Sequence, residues 1–129
     1  MRAGRDLRQI IIARLQDQIP GVPVVDRPTK KTPMPYITMG PSYWNDASVE
    51  CIEAREVTVQ IDVFDRAESK GLLEDLTDDV AAALNGWADT DALTMHPIRV
   101  SMVRVMDDPD GVSVHGVVQF EAMVEADSA

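Results

Sequence analysis

Between Arg104 and Glu125 the chain reads RVMDDPDGVSVHGVVQFEAMVE. Asp107, Asp108, Asp110, His115, Glu121 and Glu125 supply carboxylates and an imidazole, the groups that hold divalent metals or move protons. Such chemistry requires them to converge. Asp108-Pro109-Asp110-Gly111 has the composition of a tight turn: proline presets φ, glycine takes the left-handed conformation, and aspartate hydrogen-bonds to its own backbone. His115 lies about five strand residues from that turn, ~15 Å away at roughly 3.3 Å per residue. That is outside a shared coordination sphere, so the stretch reads as a turn between two strands with its polar residues facing solvent.

The remaining candidates are as scattered. A calcium loop needs carboxylates at alternate positions and a closing glutamate; DDPDGVSVHGVV lacks the glutamate and has apolar residues where ligands belong. Cys51, His96 and His115 have none of the spacings of a zinc site, and His96 before Pro97 reads as the start of a strand. Asp62 and Asp65 have the makings of a metal-nuclease pair, but Asp62 falls on the solvent face of its strand and Asp65 at the start of a helix. There is no G-x-S-x-G, P-loop or dinucleotide fingerprint. No catalytic, metal or cofactor-binding residue is assigned and no cofactor is expected.

Charged and aromatic surfaces are better candidates. Glu74, Asp75, Asp78 and Asp79 form an acidic helix face, where like charges at Asp75 and Asp79 repel by a few tenths of a kcal/mol. The face is either a solvated exterior or a surface that must be negative. Lys30 and Lys31 make a small basic patch in a proline-rich loop. Tyr43 and Trp44 fall in a loop, as interface aromatics often do, with folding back on the core as the alternative.

The elements that must position these residues follow from periodicity. Leu7, Ile11 and Leu15 recur at helical spacing over residues 3–18, and Pro20-Gly21 ends that helix. Residues 20–35 hold five prolines and read as an extended loop with a short edge strand at Val22–Val25. YITMG (36–40) is a short strand; residues 41–53 have no clear period and read as a loop. REVTVQIDVF (55–64) alternates, with Val57, Val59, Ile61 and Val63 inward and Glu56, Thr58, Gln60 and Asp62 outward. A helix follows, with Asp65 and Glu68 as a capping box. Its apolar stripe is Leu73, Leu76, Val80, Ala83 and Trp87, with Leu72 and Leu84 at the margin and Asn85-Gly86 as the stop. Residues 97–106 and 112–125 are a final strand pair, Val112, Val114, Gly116, Val118, Phe120, Ala122 and Val124 sharing one face. The expected fold is α+β: a mainly antiparallel sheet with an N-terminal helix and one long helix on one face, a two-layer sandwich.

The bulk numbers agree. A chain of 129 residues suits one domain, 1–129, and 45% apolar residues suffice for a core. A net charge of −10 repels phosphates, which argues against gripping nucleic acid. One cysteine excludes an internal disulfide and fits a reducing compartment. The apolar N-terminal cluster is broken by Arg8, Arg14 and Asp17, too short and charged for a membrane span or signal segment, so a soluble cytoplasmic product is expected.

Several phrases together resemble a known family. Pro35-Tyr36-Ile37 opens a strand, VFDRA (63–67) precedes the long helix, and DPDG (108–111) is followed by His115-Gly116 and QFEA (119–122). From about residue 5 to residue 125 the chain resembles the small tail-completion proteins of long-tailed phages and gene transfer agents, long filed as a domain of unknown function. The resemblance implies a tail terminator, or tail-to-head joining protein. Such a protein forms a six-membered ring on the last ring of the tail tube, stops tube growth and meets the head connector (stopper). It is not an enzyme, has no membrane partner, is made in the bacterial cytoplasm and ends in the virion. DNA passes through such a ring without specific binding. A hexamer concentrates acid around that passage, where repulsion lets DNA slide; Glu56, Asp62, Asp75, Asp78 and Asp79 are the candidates to line it. Lys30, Lys31, Tyr43 and Trp44, in loops 27–35 and 41–54, are the interface candidates. Two alternatives stand beside this reading: a monomeric assembly chaperone or binding module for tail proteins, and a small metal-dependent hydrolase using Asp62, Asp65 and His115.

Overall fold

The structure is a computed structural model, described here for residues 1–90 and 94–126. Helix α1 spans Ala3–Gln18 and is followed by the two-residue strand β1, Val24–Val25. Strands β2 (Tyr36–Asp46) and β3 (Ala54–Arg66) form a long hairpin. A 3₁₀ turn (Ala67–Ser69) leads into helix α2, Lys70–Leu84, and the chain closes with strands β4 (Arg99–Asp107) and β5 (Ser113–Glu125).

The five strands make one sheet in the order β1-β2-β3-β5-β4. All neighbours are antiparallel except β1 and β2, which run parallel. The central pair is in continuous register from Ala54↔Glu125 to Arg66↔Ser113. Both helices cover one face, as expected of an α+β two-layer sandwich. The alternation of β3 sets this: Val57, Val59, Ile61 and Val63 are buried beneath the helices, beside Val114, Val118, Phe120, Ala122 and Val124 of β5. Leu7, Ile11 and Leu15 of α1 and Leu73, Leu76, Val80 and Ala83 of α2 complete that core. Each fully buried aliphatic or aromatic side chain contributes about 1.5–3 kcal/mol. Arg14 ties the helices together, its Nε donating to the Ala83 carbonyl at 3.0 Å and its guanidinium lying 4.9 Å from the Trp87 ring centre.

Gly86 takes a φ of 80° just past the end of α2, the stop that Asn85-Gly86 predicted. Gly116 is required for a different reason. Its Cα faces Thr77 of α2 so closely that an added Cβ would collide with the threonine hydroxyl, which donates to Leu73 O at 2.7 Å.

The structure departs from several of these expectations. Residues 41–46 are strand: β2 continues through a bulge between Met39 and Ser42 and pairs with β3 as far as Asp46↔Arg55. Pro41 sits at that irregularity on an edge, where no ladder hydrogen bond is lost, and exposure of both faces hides the period. Asp65 does not cap α2, because β3 runs on to Arg66; its Oδ1 accepts the Arg66 amide at 2.8 Å, and Ser69 occupies the N-cap without a side-chain bond. Val112 precedes β5 and is exposed, as is Leu72 on the outer side of α2, whereas Leu84 is fully buried. The strand expected from residue 97 begins at Arg99, so His96 lies outside it.

Candidate functional site

The polar groups of the 104–125 stretch separate, as their spacing predicted. Asp110 is consumed by its turn: Oδ1 accepts the amides of Val112 and Ser113 at 2.9 Å each, and Oδ2 accepts the Ser113 hydroxyl at 2.8 Å. These bonds hold its carboxyl below the usual carboxylate range, the Val112 amide contributing most. Asp108 accepts the Asp110 amide at 3.1 Å, and Asp107 lies 3.4 Å from Lys70 Nζ. Glu121 pairs with Arg99, and Glu125 with His96 at 3.1 Å.

His115 and Asp62, however, do meet. His115 Nε2 lies 2.8 Å from Asp62 Oδ1, and Gln60 Nε2 donates to the same oxygen at 2.8 Å. Asp62 was expected on the solvent face and is instead buried, 9% exposed. The cause lies in the neighbouring strands. On the helix-free side of the sheet Thr38 and Val117 flank Asp62 in register, and both are buried. Across the next rung Tyr36, Phe64 and His115 line up, with Tyr36–Phe64 centroids at 5.4 Å and Phe64–His115 at 4.3 Å. Burial raises the Tyr36 phenol, helped by the charge of Asp108. A cross-strand row of this kind has no single-strand signature; only the register reveals it.

The rival hydrolase set does not assemble. Asp65, three residues from Asp62, pairs in register with Val114 on the helix-covered face, opposite to His115. The cavity beside Asp65 is lined by Val22, Met34, Pro35, Arg66, Ser69, Leu72 and Leu76, with no second carboxylate. Among the described residues no three His, Cys, Asp or Glu side chains are grouped as metal ligands.

The exposed groups lie on three surfaces. Glu74, Asp75, Asp78 and Asp79 are all exposed on α2. Glu56 is half-buried on the helix-free side of the sheet, so it and the α2 acids lie on opposite sides of the sheet. Lys30 and Lys31 are exposed in the loop before β2, in a turn closed by Thr32 N donating to Thr29 O at 3.0 Å. Tyr43 and Trp44 are 58% and 50% exposed, in the far half of β2 rather than in a loop. The Arg55 guanidinium lies 3.8 Å from the Trp44 ring centre and Arg55 Nη1 donates to Met1 O at 3.0 Å, so one face of the indole is held while the rest stays open. Val49 and Ile52 at the hairpin tip, missed in the sequence, are exposed as well and extend this into an apolar arm. No helix among the described residues is long and apolar enough to cross a membrane.

No curated protein matches the chain. Among solved structures, a chain of the virion of a native gene transfer agent particle superposes with a TM-score of 0.71 at 19% identity, over 95% of this chain and 90% of that one. That likeness is one of fold. The family described as tail completion protein gp17 matches residues 11–125. The chain therefore belongs to the tail completion protein gp17 family and is a structural protein of the virion tail.

Proposed function

We infer that this protein is a tail terminator: a single domain, 1–129, whose copies form a ring on the last ring of the tail tube and join it to the head connector. The observation that carries the reading is family membership across residues 11–125, which spans every element from within α1 to the end of β5. The ring is a homohexamer, and a neighbouring subunit or the tube covers the arm bearing Tyr43, Trp44, Val49 and Ile52. Exposed aromatics in the arm suit such anchors because large apolar side chains dominate interface energy.

DNA passes through the ring without being bound. One acidic surface lines the passage, so that phosphates meet repulsion rather than attraction. Because the two candidate sets lie on opposite layers, either the trio Asp75, Asp78 and Asp79 or Glu56 faces the lumen, and charge reversal of each set separately identifies which.

The ring reading is tested by electron microscopy of particles carrying an epitope tag on this chain, labelled with an antibody. A six-fold ring of label at the junction of tail and head is expected. Label along the tube, or on immature tails and never on finished particles, would replace the terminator with a coat component or an assembly chaperone respectively.

A further inference from the structure

The sheet ends in two unpaired edges. Among the described residues, strand β1 covers only Ile37 and Thr38 of β2, so residues 41–46 pair with β3 alone, and β4 pairs with β5 alone, the Val100 amide near its start donating to Asn85 Oδ1 at 3.1 Å. We propose that these edges pair with one another between neighbouring copies, the far half of β2 in one chain receiving β4 of the next. The inference rests on the ring reading above and names the surface that closes the ring.

Three features of the two edges are complementary. The first is shape. A cavity of about 300 Å³ opens beside β2, lined by Arg5, Arg8, Met39, Val57 and Val59 among others, on the helix-covered side of the sheet. Val103, in register with the buried Val118, points to that same side from β4 and is 41% exposed. Adding a strand to an edge keeps each side chain on its own side of the sheet, so Val103 arrives at the mouth of the cavity. The second is charge. Arg104 and Arg99, the latter also paired with Glu121, lie along β4 with Asp107 at its end, whereas the hairpin arm carries Asp46, Glu50, Glu53 and Glu56 against Arg55. The third is direction. Stepping from β2 through β3 and β5 to β4 crosses three antiparallel pairings, so β4 runs opposite to β2. Copies related by rotation about an axis along the strands therefore meet as an antiparallel pair. The contact is heterologous, and it repeats until the ring closes, leaving only the two-residue edge of β1 uncovered.

Within one chain β2 and β4 are three strand spacings apart, ~14 Å at about 4.8 Å each. A disulfide requires Cα atoms within ~7 Å, so one formed between these edges must join two chains. The test places cysteines at Ser42→Cys and Val103→Cys in a Cys51→Ser background and assembles particles with that variant. Mild oxidation is expected to give a ladder of covalent oligomers ending at the ring size and collapsing to monomer on reduction, with neither single variant giving a ladder. Tyr43→Cys with Met102→Cys, on the other side of the sheet, probes the same junction should the first pair disturb folding. Particles that show a ring by microscopy but no ladder from either pair overturn the edge pairing; Pro41, Arg99 and Arg104 then serve to keep lone edges from aggregating. Particles without a ring overturn the ring reading and this inference together.

Discussion

His115 Nε2 sits 2.8 Å from Asp62 Oδ1, joining two residues 53 positions apart across the central strand pair. Of the two contacts between acid and imidazole among the described residues, His115–Asp62 and His96–Glu125, it is the more buried. Its surroundings are those of a packed rung, with Phe64 stacked on the imidazole at 4.3 Å and Gln60 sharing the carboxylate oxygen. Replacing His115 by Ala leaves a buried carboxylate short of a partner and should cost about 1–3 kcal/mol in chemical denaturation. His115→Gln, which keeps a donor, should recover part of that loss. A variant that keeps full stability would show that the bond contributes nothing to the fold.

Gly40 belongs to the same site. A Cβ there would lie 2.5 Å from Asp62 Oδ2 and 2.9 Å from the Gln60 carbonyl oxygen, and the backbone atom cannot swing away. Gly40→Ala should destabilise by about 1–3 kcal/mol as an overpacked position. Melting of the two proteins side by side measures it; equal midpoints would mean the strands have room to part.

Gly116 and Thr77 make a second close approach, between β5 and α2. Gly116→Ala should also cost about 1–3 kcal/mol, and Thr77→Ala in the same chain should return part of it by removing the colliding hydroxyl and methyl. The double-mutant cycle checks this: strictly additive losses would place the cost of Gly116→Ala elsewhere.

The turn at Asp110 carries a pH dependence. Its carboxyl titrates below the ordinary value in the folded chain, so the unfolded chain binds the proton more readily there. The stabilisation is present above the ordinary aspartate range, near about 4, and is lost as the pH falls through the lower folded value. Asp110→Asn should flatten the acid limb of the stability curve. An acid limb identical to that of the parent would contradict this.

Much of the scaffold was legible because its residues obey one period at a time. Leu7, Ile11 and Leu15 marked α1 over its observed span, and the alternation Val57-Val59-Ile61-Val63 marked β3 with its buried face correctly assigned. What escaped was set by neighbours in space. Asp62 was read as solvent-facing because alternation says only which residues share a side, and the second side is covered by Thr38, Val117 and His115 from other strands. The far half of β2 reads as a loop because an edge strand exposed on both sides, holding Pro41 at a bulge, has no period to detect. Asp65 satisfied a helix-start pattern, yet β-pairing with Val114 extended the strand past it. Residue type alone points to Tyr43 and Trp44, and in the fold Val49 and Ile52 continue the same exposed arm.

That arm gives a functional prediction. Trp44→Ala removes a half-exposed indole and one cation–π contact, so it should change stability by no more than about 1 kcal/mol. It should nevertheless lower the yield of finished particles. Normal yield from a folded Trp44→Ala protein would remove Trp44 as an anchor.

The account's central claim is that this chain ends tail growth and joins the tail to the head. Its most direct measurement is the length distribution of tails, by electron microscopy, in particles assembled without the protein and again with it restored. Overlong or headless tails in its absence, returning to uniform, head-joined tails on restoration, are the result expected. Tails of normal length joined to heads in the protein's absence would contradict it.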